Sequence, residues 1–215
     1  MSQETAQRFS LAWNPNPPIA VGQIVLYAIL TGVATVLAWL GVIAFPIGFA
    51  GVSALYIGVA FFIPFALWFG AWGVLLSYIG AFLGGGVIGG GQPILLAMFA
   101  SLAHIFQCGI PLVAYRTLGK NMGIDPTGRI HGKTFGKEGI FFLIFVVVLP
   151  NLIGGFWGIG GLTLGGIIPP EVYVPASIGW WVSNMIACVV ISPILLSTVT
   201  PVIERMGLLV QGLWS

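Results

Sequence analysis

Charged side chains are scarce in this sequence. Its 7 Lys and Arg and 5 Asp and Glu make up only 6% of 215 residues. Soluble domains carry about 25% charged residues, so a water-exposed surface cannot be built from so few. Hydrophobic residues account for 58% of the chain, and its mean hydropathy is +1.07. We therefore expect lipid to be the solvent for most of the protein surface.

Other features are missing as well. The apolar runs do not alternate with polar residues, which argues against a β-barrel. The two cysteines, Cys108 and Cys188, lie in apolar segments, where small core residues are expected rather than a disulfide or a metal site. No phosphate-binding loop, zinc-ligand spacing or serine nucleophile motif is found. We expect no enzymatic activity and no metal site, and the sequence identifies no cofactor.

The apolar segments predict an all-α integral membrane protein with six transmembrane helices of about 20 residues each. The predicted helices are Val21–Ala44, Ala50–Leu67, Trp72–Val87, Pro93–Leu118, Gly139–Trp157 and Ala176–Val199. They form one domain over residues 21–200, between a polar, proline-rich segment 1–20 and a tail 201–215. The glycine-rich segments Gly84–Gly91 and Gly158–Pro175 are predicted to be connections.

The placement of the basic residues predicts the orientation. With six helices, every Lys and Arg falls on the side of the N-terminus, and the opposite loops carry only Glu171. Because basic residues collect in cytoplasmic loops, both termini and the polar loop 119–138 are predicted to be cytoplasmic. Five or seven helices would split the basic residues between the two sides. The expected location is the inner (plasma) membrane, as a multi-pass protein.

Neutral polar residues inside the predicted helices are the candidate ligand-binding groups. Apart from Arg116, close to the end of the fourth predicted helix, no Asp, Glu, Lys or Arg lies within a predicted span, so the mid-membrane charges typical of proton pumps and ion-coupled carriers are absent. Unpaired polar groups facing lipid are costly, so these side chains should face the interior. The candidates are His104, Gln107, Asn151, Trp181 and Asn184. The alternative is that they bond one another and neighbouring carbonyls as structural contacts between helices.

A pair of small residues four positions apart, Ala34 and Ala38, lies in the first predicted helix. Such pairs allow two helices to approach closely. The close approach serves either packing within this chain or contact with a partner subunit. Gly80 and Gly84 form a second pair of this kind in the third predicted helix.

Several short runs of glycine, proline and aromatic residues resemble the sequences of known families. The relevant runs are Phe62-Ile63-Pro64, Phe69-Gly70-Ala71-Trp72-Gly73, Tyr78-Ile79-Gly80, Ile110-Pro111, Tyr115-Arg116, Gly179-Trp180-Trp181-Val182-Ser183-Asn184 and Ile191-Ser192-Pro193-Ile194-Leu195-Leu196. They resemble the membrane-associated sensor domain of bacterial histidine kinases. They also resemble the substrate-binding S components of energy-coupling-factor vitamin transporters. The second resemblance implies that Ala34 and Ala38 contact a coupling subunit.

The expected function is a small-molecule-binding membrane subunit of an uptake transporter. The alternatives are a freestanding sensor module that signals to a partner, and a non-catalytic structural subunit of a larger membrane complex. Expected partners are membrane lipid, other membrane subunits and a small-molecule ligand, and no nucleic acid. A cavity lined by the polar residues would favour transport or sensing, and a dry core would favour the structural role.

Overall fold

The computed structural model describes residues 8–14, 16, 20–46, 52–132 and 136–215. Within these ranges the regular structure is helical, and the one β-type contact is an isolated bridge between Pro46 and Ser53. Three sequence-based assignments lie outside the described residues. They are most of the proline-rich N-terminal segment, the predicted start of the second helix at Ala50, and the basic residue Lys133.

Among the described residues, five helices are long and apolar enough to cross a membrane. They are α1 (Val21–Ala44), α3 (Ala71–Gly89), α4 (Ile94–Gly119), α5 (Lys137–Leu164) and α6 (Pro170–Arg205). The remaining apolar helix, α2 (Val59–Phe69), has 11 residues and is therefore about 16 Å long. The predicted all-α membrane class is confirmed by these helices.

The helix boundaries confirm some predictions and correct others. Helix α1 has the predicted bounds. The glycine-rich segment predicted to follow the third helix instead continues α3 as a π-helical stretch, Ala81–Gly89. The predicted connection Gly158–Pro175 is also largely helical, because α5 runs to Leu164 and α6 begins at Pro170. Several of these glycines let side-chain or backbone atoms of neighbouring segments pack directly against the helix.

Residues 52–58, predicted to be helical, form a non-helical segment that enters the bundle. The Ser53 hydroxyl donates to the carbonyl of Gly41 at 2.6 Å, and the Tyr56 amide donates to the Ser183 hydroxyl at 3.3 Å. Irregular backbone at membrane depth is tolerated where protein surrounds it. The segment thereby brings the side chain of Tyr56, which is 5% exposed, into the interior.

Helix α2 lies at the centre of the bundle. All of its residues except Phe61 are buried, and it packs against α3, α4 and α6. The Ser192 hydroxyl donates to the α2 carbonyl of Ala60 at 2.9 Å, and the Trp68 indole donates to the Thr200 hydroxyl at 2.8 Å. These bonds tie both ends of α2 to α6.

The small residues of α1 and α3 pack against each other. Ala34 and Ala38 are fully buried. A Cβ added to Gly80 would lie 2.8 Å from the carbonyl carbon of Ala34, and one added to Gly84 would lie 3.0 Å from Cβ of Ala38. The two alanines, expected from the resemblance to contact a coupling subunit, are therefore covered by the chain's own α3.

Segments from both ends of the described chain meet at one end of the bundle, here called the terminal end. Residues 9–12 run beside residues 210–214, with hydrogen bonds from the Ser10 amide to the Gln211 carbonyl and from the Leu213 amide to the Ala12 carbonyl. The guanidinium of Arg116, which is 2% exposed, donates to the carbonyls of Ser10, Val210, Gln211 and Gly212. One buried cation therefore fastens both segments to the end of α4.

The polar loop after α4 is anchored at the same end. Arg129 bridges the carboxylates of Asp125 and Glu204 at 3.1 Å each, and His131 lies 2.8 Å from Asp125. Burial alone would raise the pKa of the Asp125 carboxyl. Hydrogen bonds from His131 and Thr127 and the charge of Arg129 outweigh burial and lower that pKa. The ionised Asp125 carboxylate therefore holds Arg129, which links the loop to Glu204 near the end of α6.

An interior cavity at His104

A partly open cavity of about 30 Å³ lies between the helices, in the half of the bundle away from the terminal end. Its walls come from the last turns of α1, α3 and α5, the first turns of α4, the connection between α3 and α4, residue 180 of α6, and the segment 52–58. The lining residues are Val42, Tyr56, Ala81, Gly85, Gly86, Gln92, Ala100, Ser101, His104, Leu162 and Trp180. A single water needs about 10–15 Å³ of such space, so the cavity has room for roughly two.

Three buried polar atoms on the cavity wall lack a hydrogen-bond partner among the described residues. They are the Tyr56 hydroxyl, Nδ1 of His104 and Nε1 of Trp180. They come from three different parts of the chain and converge on one small space. An unsatisfied buried polar atom costs about 1–3 kcal/mol. A polar ligand in the cavity would remove part of that cost by forming hydrogen bonds with these atoms.

Aromatic packing fixes the imidazole of His104. Its ring centroid lies 5.5 Å from that of Tyr56 and 5.5 Å from that of Phe62. Ser101 precedes His104 by three positions on α4, which places both on the same face of the helix. The imidazole is therefore held between two rings while its Nδ1 stays unbonded.

The indole of Trp180 sits in a notch of α5. A Cβ added to Gly158 would lie 2.7 Å from Cη2 of Trp180, so only glycine leaves room for the ring there. This close approach explains the presence of glycine at that position of the helix. It also brings Nε1 of Trp180 to the cavity wall.

Gln107 and Asn151 form a separate polar contact between α4 and α5. The Gln107 side-chain amide donates to Oδ1 of Asn151 at 2.9 Å. The Asn151 amide in turn donates to the carbonyls of Val146 and Val147 and lies 3.5 Å from Sγ of Cys188. Because the hydrogen bonds of Asn151 are used within the chain, this pair acts as a contact between helices. Neither residue lines the cavity.

Trp181 and Asn184 also lie away from the cavity lining. The Trp181 indole donates to the carbonyl of Val148 at 3.1 Å, which joins α6 to α5. Asn184 is fully buried, and neither atom of its amide has a partner in the described part of the chain. Of the five residues predicted to bind a ligand, His104 alone lines the cavity. Sequence reasoning did not select Tyr56, Gln92 or Trp180.

The chemistry available in the cavity is neutral hydrogen bonding. None of the described lining residues is Asp, Glu, Lys or Arg. In the described ranges no three His, Cys, Asp or Glu side chains gather where they could hold a metal ion. No family model, curated protein or solved structure matches this chain. The fold defines a polytopic helical membrane protein, and the cavity is its candidate site.

Proposed function

We propose that this chain is a small-molecule-binding integral membrane subunit of an uptake transporter, and that the ligand occupies the cavity at His104. The observation that carries the proposal is the convergence of three unpartnered polar atoms, from Tyr56, His104 and Trp180, on one interior space. A protein that only packed against other subunits would gain stability by replacing these atoms with apolar ones. Their convergence on one cavity favours a binding role over a structural one.

The distribution of charge supports the orientation that uptake requires. The described Lys and Arg side chains lie near the terminal end, at Arg8, Arg116, Lys120, Arg129, Lys137 and Arg205. The proposed topology has α2 as a sixth crossing and the terminal end in the cytoplasm of the inner membrane. The cavity then lies in the outer half of the bilayer, where an uptake system captures its substrate.

The topology is tested by cysteine labelling. In a background with Cys108 and Cys188 replaced by alanine, we expect Asn121→Cys to react with a membrane-impermeant maleimide only after the cells are opened. Glu171→Cys should react in intact cells. Both positions are exposed, so accessibility within the fold does not limit the reaction. Labelling of both cysteines from the same side would contradict the six-crossing topology.

Two single-group substitutions test the binding site. We expect Tyr56→Phe and Trp180→Phe to keep the purified, ligand-free protein at least as stable as wild type, because each removes an unpartnered buried donor. Trp180→Phe also loses some packing against Gly158. The same variants should lose ligand binding. Thermal unfolding is measured with and without a panel of soluble metabolites that ranges from acetamide to vitamins.

Tyr27→Phe is the matched control, because Tyr27 packs on Phe69 and Trp72 at the other end of the bundle. It should bind panel compounds as wild type does. If no compound stabilises the wild type and both cavity variants unfold earlier, the structural-subunit role replaces the proposal. Co-purification in mild detergent distinguishes the remaining roles, since a transporter subunit should carry a coupling ATPase and a sensor should carry a kinase.

A further inference from the structure

We propose that the ligand of the His104 cavity is a neutral solute of about two to four non-hydrogen atoms that both accepts and donates hydrogen bonds, as small amides and ureas do. This inference rests on the proposed function and specifies its substrate class. It follows from the charge, the hydrogen-bonding groups and the volume of the cavity.

The cavity offers no charge to pair with an ion. Its described lining consists of apolar residues, glycines and the neutral side chains of Tyr56, Gln92, Ser101, His104 and Trp180. An ion that entered would lose its hydration without gaining a carboxylate, ammonium or guanidinium partner. The neutral lining therefore selects against ionised solutes such as formate or methylammonium.

The hydrogen-bonding groups require a ligand with both functions. The Trp180 indole N–H can only donate, so the ligand must present an acceptor to it. The Tyr56 hydroxyl and Nδ1 of His104 can accept, so the ligand must also present a donor. A carbonyl oxygen beside an N–H or O–H group satisfies both sides of the cavity at once.

The volume limits the size of the ligand. Pockets for drug-sized molecules have volumes of about 300–1,000 Å³, whereas this cavity has about 30 Å³. A vitamin, as the resemblance to vitamin transporters would imply, does not fit. A ligand of so few atoms also has limited affinity, and its dissociation constant should lie between about 50 µM and 10 mM.

Gly85 provides a substitution that fills the cavity without a clash. A Cβ added there would lie 3.6 Å from the Tyr56 hydroxyl and 3.9 Å from Ala38 and Val42, which are ordinary contact distances. The methyl group of Gly85→Ala would occupy much of the space that the ligand needs. Gly32→Ala is the control, because a Cβ at Gly32 meets nothing within 4 Å. Both substitutions replace a helical glycine by alanine.

The experiment measures equilibrium binding of radiolabelled acetamide and urea to the purified full-length chain in lipid nanodiscs. We expect wild type and Gly32→Ala to bind at least one of the two, and Gly85→Ala to bind it roughly tenfold or more weakly. Formate and methylammonium should not compete. Thermal unfolding of Gly85→Ala should match or exceed that of wild type, which separates loss of the cavity from loss of the fold.

The other outcomes distinguish failure of the proposed ligand class from failure of the proposed function. Equal binding of acetamide by Gly85→Ala, or competition by formate or methylammonium, would overturn the proposed ligand class. Binding of radiolabelled thiamine in place of the small solutes would also overturn it, while the proposed uptake function stands. If neither the small solutes nor any compound of the wider metabolite panel binds, both this inference and the proposed function fail.

Discussion

Gly84→Ala is expected to lower the free energy of unfolding by about 3 kcal/mol or more. The added Cβ would overlap the carbonyl oxygen of Thr35 and lie 2.8 Å from its carbonyl carbon. These atoms belong to the backbone of α1 and cannot rotate away, so α1 and α3 would have to separate along their length. Ala38→Leu should have a similar effect, because its side chain is fully buried at the same contact.

Reversible unfolding in mixed micelles, followed by circular dichroism, measures the loss. Gly109→Ala is the control, since Gly109 lies in α4 and a Cβ there meets nothing within 4 Å. It should be neutral or slightly stabilising. If Ala38→Leu unfolds like wild type and only loses a co-purifying subunit, the alanine pair contacts a partner, as the resemblance to S components implied, and the α1–α3 packing is wrong.

Arg116→Met should lower the free energy of unfolding by about 3–5 kcal/mol. The guanidinium donates to four backbone carbonyls from residues 10 and 210–212, and it lies over the ring of Phe9 at 5.6 Å from the ring centroid. Methionine fills part of the space but removes the donor to the carbonyls of Ser10, Val210 and Gly212, and it leaves the Gln211 carbonyl with the Ser10 amide alone. The C-terminal residues should therefore detach from the bundle before the helices unfold.

Limited proteolysis combined with thermal unfolding detects that order of events. Arg205→Met is the control, because Arg205 is an exposed residue at the same end of the bundle and, within the described ranges, bonds only a carbonyl of its own helix. Its effect should stay within about 0.5 kcal/mol. Arg116→Lys should rescue part of the loss, since an ammonium reaches fewer of the carbonyls. Protease resistance of Arg116→Met equal to wild type would show that the carbonyls find other partners.

The sequence was sufficient to predict a helix where local composition alone determines it. Helix α1 has the predicted bounds because it is an uncharged apolar run that ends just before Pro46. The segment 52–58 is equally apolar, and hydropathy cannot distinguish a buried helix from buried irregular backbone. Its backbone is held by Ser183, which is more than 120 positions away, and no local pattern reports such a bond. Likewise, the glycines at 158–161 looked like a loop because their helical packing against Phe99 and Trp180 is a tertiary effect.

The candidate site was predicted only in part, for related reasons. A lone His104 in an apolar helix is a signal that the sequence displays directly. Trp180 and Trp181 are neighbours on α6 that point about 100° apart, and the spacing to Asn184 favoured Trp181. Trp180 and not Trp181 reaches the cavity because its ring packs against Gly158, and this tertiary contact cannot be read from the sequence. Asn151 and Gln107 were correctly predicted to be buried, but their mutual bond made them a helix contact and not a cavity wall.

The brevity of α2 has a consequence for how the protein is made. The hydrocarbon core of a bilayer is about 30 Å thick, roughly twice the length of an 11-residue helix. During synthesis α2 is therefore a poor independent span, and only the single turn at Gly70 separates it from α3. The two helices would enter the membrane as one hairpin. The bonds of Ala60 and Trp68 to α6 then form only after the last helix has been inserted, so the centre of the bundle is completed last.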